Sequence, residues 1–244
     1  MKRASKFLKY GWANLFRLIA LKKLHVSRVE LPMGDGRGPL VLCGNSMDYR
    51  LFSDIFVHDC YNVQLGSEPA YIMDCGANIG LSTRYFINRY PGAKIAAIEP
   101  DERNFRLLQM NLQGCDVATY RIALHSQRGK LRLTSDNLSS YSRRFDEAGG
   151  GSEEVAAAPL QDLFDELQWP RIDLLKIDIE GGEFALFATQ DPWLSRVNVF
   201  IIEFHEYMRN GLTQAILSKI FLTSEYRIQV LGEYMVIERL KWIS

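Results

Sequence analysis

Five carboxylates and one imidazole stand where they could do chemistry. Asp74, Glu99 and Glu203 each lie at or near the end of a short apolar run, and Asp178 and Glu180 follow another one, Asp173-Leu174-Leu175-Lys176-Ile177. His205 comes two residues after Glu203. A carboxylate at a strand end can accept hydrogen bonds from the neighbouring hydroxyls of a sugar ring, and ligands of open α/β sheets collect at such ends. An imidazole beside carboxylates can take a proton from a hydroxyl near neutral pH. Side chains alternate along an extended chain, so Lys176, Asp178 and Glu180 share one side, as do Glu203 and His205.

The elements that must position these groups begin with Tyr71-Ile72-Met73-Asp74-Cys75-Gly76-Ala77-Asn78-Ile79-Gly80, read as strand, tight turn and the start of a helix. Gly76 and Gly80 permit close approach of backbone. The helix that follows leaves free N–H groups and its positive end toward the turn. Asp74, where the strand stops, is expected to reach into the crevice above the sheet. A dinucleotide turn would read G-x-G-x-x-G; here the run is G-A-N-I-G, with Asn78 where no second glycine falls in phase. Glu99 ends the next apolar run, 19 residues after Gly80.

Taken together, these runs resemble the motifs of the FkbM family of S-adenosylmethionine-dependent methyltransferases. The matching pieces are Asp74-x-Gly-Ala-Asn-x-Gly80, Ile98-Glu99-Pro100 with Asn104-Phe105, Lys176-Ile177-Asp178-x-Glu180-Gly181-x-Glu183, and Glu203-x-His205. The resemblance covers roughly residues 45–240. It implies an α/β, Rossmann-like class I methyltransferase fold, a doubly wound and mostly parallel sheet with a C-terminal antiparallel hairpin strand. It implies S-adenosyl-L-methionine as cofactor, held by Asp74, Gly76, Ala77, Asn78, Gly80, Glu99 and Asp178, with Glu99 on the ribose hydroxyls. Adenine is expected between the second and third strand ends, against 113–117 or 123–125, with Ala123 chosen. Asp178, Glu180 and His205 are the expected catalytic groups: His205 as base, Asp178 or Glu180 orienting it or taking the proton directly. Glu183 reads as a structural acid in a helix's first turn. Asp178 and Glu180 could instead help hold Mg²⁺, but no metal-ligand spacing is visible and none is expected. The acceptor implied is a hydroxyl of a sugar, glycan or secondary metabolite. Two rival readings are a non-catalytic cofactor-binding module and an NAD-type oxidoreductase.

The rest of the chain supplies the frame. Strand and helix alternate from residue 70: strands Ala70–Cys75, Lys94–Glu99, Ala118–Leu124, Asp173–Asp178 and Val197–Phe204, helices Ile79–Tyr90, Asp101–Leu112, Pro159–Leu167, Glu183–Thr189 and Leu212–Phe221. Gly129–Ser135 reads as an extra strand, residues 136–154 as a polar loop or lid, and Arg227–Val230 with Tyr234–Ile237 as a closing hairpin. Residues 26–44, rich in Gly and Pro, predict turns and short strands, and Asp48 is the expected N-cap of a helix over 48–56. We divide the chain into an N-terminal basic helix with its connection, 1–44, and a catalytic domain, 45–244.

Net charge is +0, which gives no reason to expect nucleic acid. Yet residues 1–29 carry eight Lys and Arg and no acid. Residues 5–23 read as an amphipathic helix with Leu8, Trp12, Leu15, Ile19 and Phe16 on its apolar side. Such a helix suits either its own domain, a second subunit, or an anionic membrane surface as a peripheral contact. The four cysteines are scattered, so no zinc or disulfide framework is expected. With no run long enough to cross a bilayer and no cleavable leader pattern, the expected location is cytoplasmic. The oligomeric state is not legible.

Overall fold

In a computed structural model of the chain, residues 11–20, 26, 28–135, 143–146, 153–188, 192–222 and 224–242 are described. Helix α1 covers residues 11–20. The hairpin β1 (Val29–Leu31) and β2 (Leu40–Leu42) follows, then α2 (Ser46–Phe56). Six alternating elements come next: β3 (Tyr71–Cys75), α3 (Leu81–Arg89), β4 (Lys94–Ile98), α4 (Glu102–Asn111), β5 (Val117–Tyr120) and β6 (Ala123–Leu124). Strands β7 (Gly129–Ser135), β8 (Arg143–Asp146) and β9 (Glu153–Ala158) precede α5 (Leu160–Leu167), β10 (Ile172–Ile177) and α6 (Glu183–Leu186). The chain closes with β11 (Val197–Glu203), α7 (Leu212–Phe221), β12 (Ser224–Leu231) and β13 (Tyr234–Trp242).

The main sheet has seven strands in the order β12-β13-β11-β10-β3-β4-β5. From β11 to β5 all pairs are parallel, and β13 and β12 add antiparallel at one edge. This is the doubly wound, mostly parallel sheet with a closing antiparallel hairpin that the family resemblance implies. Its interior strands are apolar on both faces, as buried parallel strands must be. Ile72, Ile95, Leu174 and Ile201 face one core with α3 and the N-terminal hairpin. Met73, Ile98, Leu175 and Ile202 face the other, with α5 and α7.

The N-terminal segment is built into the first core. Buried Arg84 of α3 donates to the carboxylate of Asp35, to Gly38 O and to Asn111 O. The Asn111 side chain in turn donates to Val41 O and Ile79 O and accepts from Val41 N. Helix α1 packs through Gly11, Asn14 and Leu18, with Asn14 donating to Pro32 O at 2.9 Å. A side chain at Gly11 would strike Phe56 O. Trp12, Phe16 and Ile19, three residues of the predicted apolar stripe, face away from the domain and are 48%, 67% and 52% exposed. Leu8 lies outside the described residues.

Three expectations need correction. The strand expected over Ala118–Leu124 is two strands: after Tyr120 the chain leaves the main sheet, and Ala123 and Leu124 pair with β9 in a separate four-stranded sheet, β6-β9-β7-β8. Hydrophobic patterning carries no sign of that change of partner. The expected lid contains strand β8 and the first residues of β9; residues 136–142 and 147–152 lie outside the described residues. Asn45, not Asp48, caps α2: its side chain accepts from Asp48 N at 2.8 Å. Asp48 is the third residue of the helix, and its carboxylate accepts from Cys43 N, tying the segment before the cap to the first turn.

Candidate active site

Residues at the C-terminal ends of β3, β4, β10 and β11 form the site. Register sets Lys176 of β10 opposite Asp74 of β3. Alternation then turns Asp74, Lys176 and Glu203 to the same face, with Ile72, Leu174 and Ile201. Lys176 is buried, and its Nζ lies 3.2 Å from Asp74 Oδ1 and 3.6 Å from Asp178 Oδ2. It also donates to Gly76 O at 2.7 Å. Burial works to lower its pKa, but the Asp74 and Asp178 carboxylates outweigh that and raise it, so the ammonium stays charged.

Asp74 does not reach the crevice. It is fully buried, and its Oδ2 accepts from Ser82 Oγ at 2.7 Å and Thr83 Oγ1 at 2.6 Å at the start of α3. Its place is beneath the turn, where it fixes the helix and the lysine. Gly76 has φ +78°, and a Cβ there would meet Asp178 O at 1.7 Å. Only glycine lets the β3 turn touch the end of β10. Ala77 and Asn78 line the cavity beside Gly76; Gly80 does not, and instead packs on Leu108.

The first cavity is walled by the turn, by Glu99, by Asp178 and Glu180, and by an apolar side that includes Leu51, Ile55, Ile98, Ile122 and Leu124. Glu99 is buried at its edge. One carboxylate oxygen accepts from Asn78 N at 2.9 Å and the other from Asp101 N at 3.0 Å. Each oxygen keeps further acceptor capacity. Burial pushes the carboxyl up to about 7 against these two N–H bonds. Ala123 is buried with Val155 and Ala157 and is not on the wall. Its neighbours Ile122 and Leu124 are, and among 113–117 no residue reaches the cavity. Adjacent residues of an extended chain face opposite ways, which is why a reading one residue out of phase selects the wrong side.

A second, more polar cavity abuts the first. Leu51, Ile55, Asn78, Asp178 and Glu180 line both. Its other walls carry Arg50, Asp54, His58, Glu203, His205 and Glu233, among others. His205 lines this cavity and is only 3% exposed. Its Nδ1 is 2.7 Å from Glu183 Oε1, so Glu183 is the group that orients the ring. Nε2 looks toward Glu180 at 3.5 Å, Glu203 at 3.7 Å and Asp178 at 3.9 Å. Burial opposes protonation of His205, but the Glu183 hydrogen bond and charge, with Asp178 and Glu180, raise its pKa to about 9. Burial and the Asp178 charge in turn push Glu203 up to about 7. Asp178 is raised as well, chiefly by burial, with Lys176 and His205 opposing.

Sequence reasoning missed several contributors. Lys176 was part of a motif without a role, and Glu183 was read as a helix acid only. A buried acid one helical turn beyond a strand has no periodic signature. Ser82 and Thr83 were legible in principle, as hydroxyls directly after Gly80.

A seven-stranded sheet with its crevice at the carboxyl ends and an antiparallel closing hairpin defines a class I methyltransferase fold. The solved structure of Methyltransferase FkbM from Methylobacillus flagellatus KT is similar in fold, with TM-score 0.51 and 15% identity over 79% of this chain and 53% of that one. The model of the Methyltransferase FkbM domain matches residues 74–228. The chain belongs to the FkbM methyltransferase family. It is 33% identical to methyltransferase sdnD of Sordaria araneosa over 58% of this chain and 68% of that protein. It is 22% identical to the 2-O-methyltransferase NoeI of Sinorhizobium fredii over 63% of this chain and 71% of that protein. This family and fold imply use of S-adenosyl-L-methionine, and the first cavity fits it. Glu99 offers two oxygens to a ribose, and the apolar wall offers a slot for a base.

Replacing Lys176 by Met would leave Asp74 and Asp178 without their shared cation and Gly76 O without its donor. We expect a loss of roughly 3–5 kcal/mol of stability, read by chemical denaturation. A loss within experimental error would show that the ion pairs do not hold the turn.

Proposed function

We propose that the protein is an S-adenosyl-L-methionine-dependent O-methyltransferase whose acceptor is a hydroxyl of a sugar, glycan or secondary metabolite. The observation that carries this reading is the pair of abutting cavities, with Asn78, Asp178 and Glu180 common to both walls. One cavity has the mixed apolar and acidic lining of a nucleoside site. The other sets Arg50, Asp54, His58, Glu203, His205 and Glu233 among apolar neighbours, a mixed lining suited to a hydroxyl-bearing molecule. A relative named as a 2-O-methyltransferase supports a hydroxyl acceptor.

Bound S-adenosyl-L-methionine supplies a methyl group already activated on sulfonium, so the chain has mainly to align and to manage a proton. Glu99 would receive the ribose hydroxyls, and Gly76, Ala77 and Asn78, which line the same cavity, would hold the rest of the cofactor. Asp74 and Gly80 act from beneath, by fixing the turn and seating α3. Asp178 and Glu180 face the junction where acceptor oxygen and methyl meet. His205, steadied by Glu183, sits with them and would receive the acceptor's proton in its neutral form, so with its pKa raised to about 9 transfer should rise with pH toward that value.

Isothermal titration with S-adenosyl-L-methionine tests this directly. We expect one site per chain, weakened at least about tenfold by Glu99→Ala, since hydrogen bonds to a charged group are worth about 1.5–3 kcal/mol. His205→Ala should keep that binding while losing transfer of labelled methyl to hydroxylated acceptors. Absence of binding by the unaltered chain rejects the reading. Preferential binding of NAD would favour the oxidoreductase, and cofactor binding with no transfer to any acceptor would favour the non-catalytic module.

The exposed side of α1 has its own partner in this reading, an anionic membrane surface. Trp12, Phe16 and Ile19 form an apolar ridge that the domain leaves uncovered. The eight basic residues of 1–29 complement acidic headgroups. Among the described residues no helix is long and apolar enough to cross a membrane. We expect the chain to sediment with phosphatidylserine vesicles but not with phosphatidylcholine vesicles. Joint replacement of Trp12, Phe16 and Ile19 by Ser should leave it in the supernatant. Equal sedimentation of both proteins, or a dimer abolished by the same changes, would reject the membrane contact.

A further inference from the structure

We propose that Asp178, Glu203 and His205 hold a divalent metal cation in the second cavity, where Asp178 borders the first. A carboxylate oxygen of Asp178, one of Glu203 and a ring nitrogen of His205 all lie within 4.8 Å of one another. His205 Nε2 is 3.9 Å from Asp178 Oδ1 and 3.7 Å from Glu203 Oε1. Ligand bonds of about 2.0–2.2 Å place neighbouring donors about 3–3.5 Å apart around such an ion. The carboxylates must turn inward to close on it, and both are partly open to the second cavity.

The imidazole points to a ligand independently of the acids. His205 is 3% exposed, and its Nε2 faces carboxylates: Glu180 at 3.5 Å, Glu203 at 3.7 Å and Asp178 at 3.9 Å. Its Nδ1 is held at 2.7 Å by Glu183, itself fully buried. A carboxylate on one ring nitrogen fixes the tautomer and turns the lone pair of the other outward, the usual outer support of a metal-bound histidine. Here Nε2 faces Asp178, Glu180 and Glu203, and a cation entering among them would take the place of its proton.

Charge supports the same conclusion. Asp178, Glu180, Glu183 and Glu203 all lie within 4 Å of the ring. Lys176 is already engaged with Asp74 and Asp178. Bringing so many carboxylates together around one imidazole costs free energy that a divalent cation offsets. Two oxygens and one nitrogen suit Mn²⁺ or a neighbouring first-row ion. The binding site stands on geometry alone; its role rests on the methyl-transfer reading, in which the cation would hold the acceptor oxygen and lower the pKa of its proton.

The test is a titration of the full chain with Mn²⁺ alone, following free Mn²⁺ by electron paramagnetic resonance. We expect one bound ion per chain. Glu203→Gln and His205→Gln should each weaken it at least about tenfold, and Asp54→Asn, a more distant acid of the same cavity, should not. No binding up to millimolar Mn²⁺ overturns the proposal, as does unchanged binding in folded Glu203→Gln and His205→Gln proteins. If neither variant melts cooperatively, the wild-type stoichiometry decides, with Asp178→Asn as the third ligand test. S-adenosyl-L-methionine is titrated into the same samples. A chain that binds the cofactor and not Mn²⁺ loses the cation site and keeps the methyl-transfer reading. One that binds Mn²⁺ through these residues and not the cofactor does the reverse.

Discussion

A buried ammonium holds the site together. Lys176 sits between Asp74 and Asp178 at the ends of two neighbouring strands and also grips the carbonyl of Gly76. Taking a lysine out of water is costly, and the cost is met only where carboxylates and a carbonyl surround it at close range. The arrangement therefore demands that β3 and β10 be adjacent, parallel and in the register observed. It also demands a turn at Gly76 that can lie against Asp178 O, which a side chain would forbid. One cation thus fixes where the first strand ends, how the chain turns into α3, and where Asp178 presents its carboxylate.

From that constraint the two-cavity plan follows. Asp74, locked to Ser82 and Thr83, is a foundation rather than a ligand-facing group. Asn78 and Glu99 close one side through a backbone hydrogen bond, and Asp178 and Glu180 stand between the first cavity and the second. Glu180 adopts φ +51°, unusual for a residue with a long side chain. That conformation belongs to the sharp turn through Gly181 and brings the acid to the junction. Negative charge accumulates there because the ends of β10 and β11 and the first turn of α6 converge around the His205 ring, with Lys176 against Asp178.

Much of this was legible in the sequence, and the failures have physical causes. The order of strands and helices could be read because parallel strands buried on both faces appear as unbroken apolar runs between helical periods. Leu212–Phe221 agrees with the observed helix residue for residue, and Glu99 and Asp178 fall at the cavity because a strand end is marked by where its apolar run stops. The direction of a side chain at that end was harder. Asp74 looked like a crevice residue, yet alternation turns it under the turn. Ala123 lost to Ile122 and Leu124 through the same period of two. The role of Glu183 depends on a contact with His205 twenty-two residues away, which no local pattern encodes. The change of sheet after Tyr120 likewise depends on where β9 lies.

The most direct measurement is a crystal structure of the chain grown with S-adenosylhomocysteine. The account predicts ribose hydroxyls on the Glu99 carboxylate, the base between Ile122 and Leu124, and the sulfur turned toward Asp178 at the mouth of the polar cavity. A nucleoside bound elsewhere, or one that leaves Glu99 without a ligand contact, would contradict it.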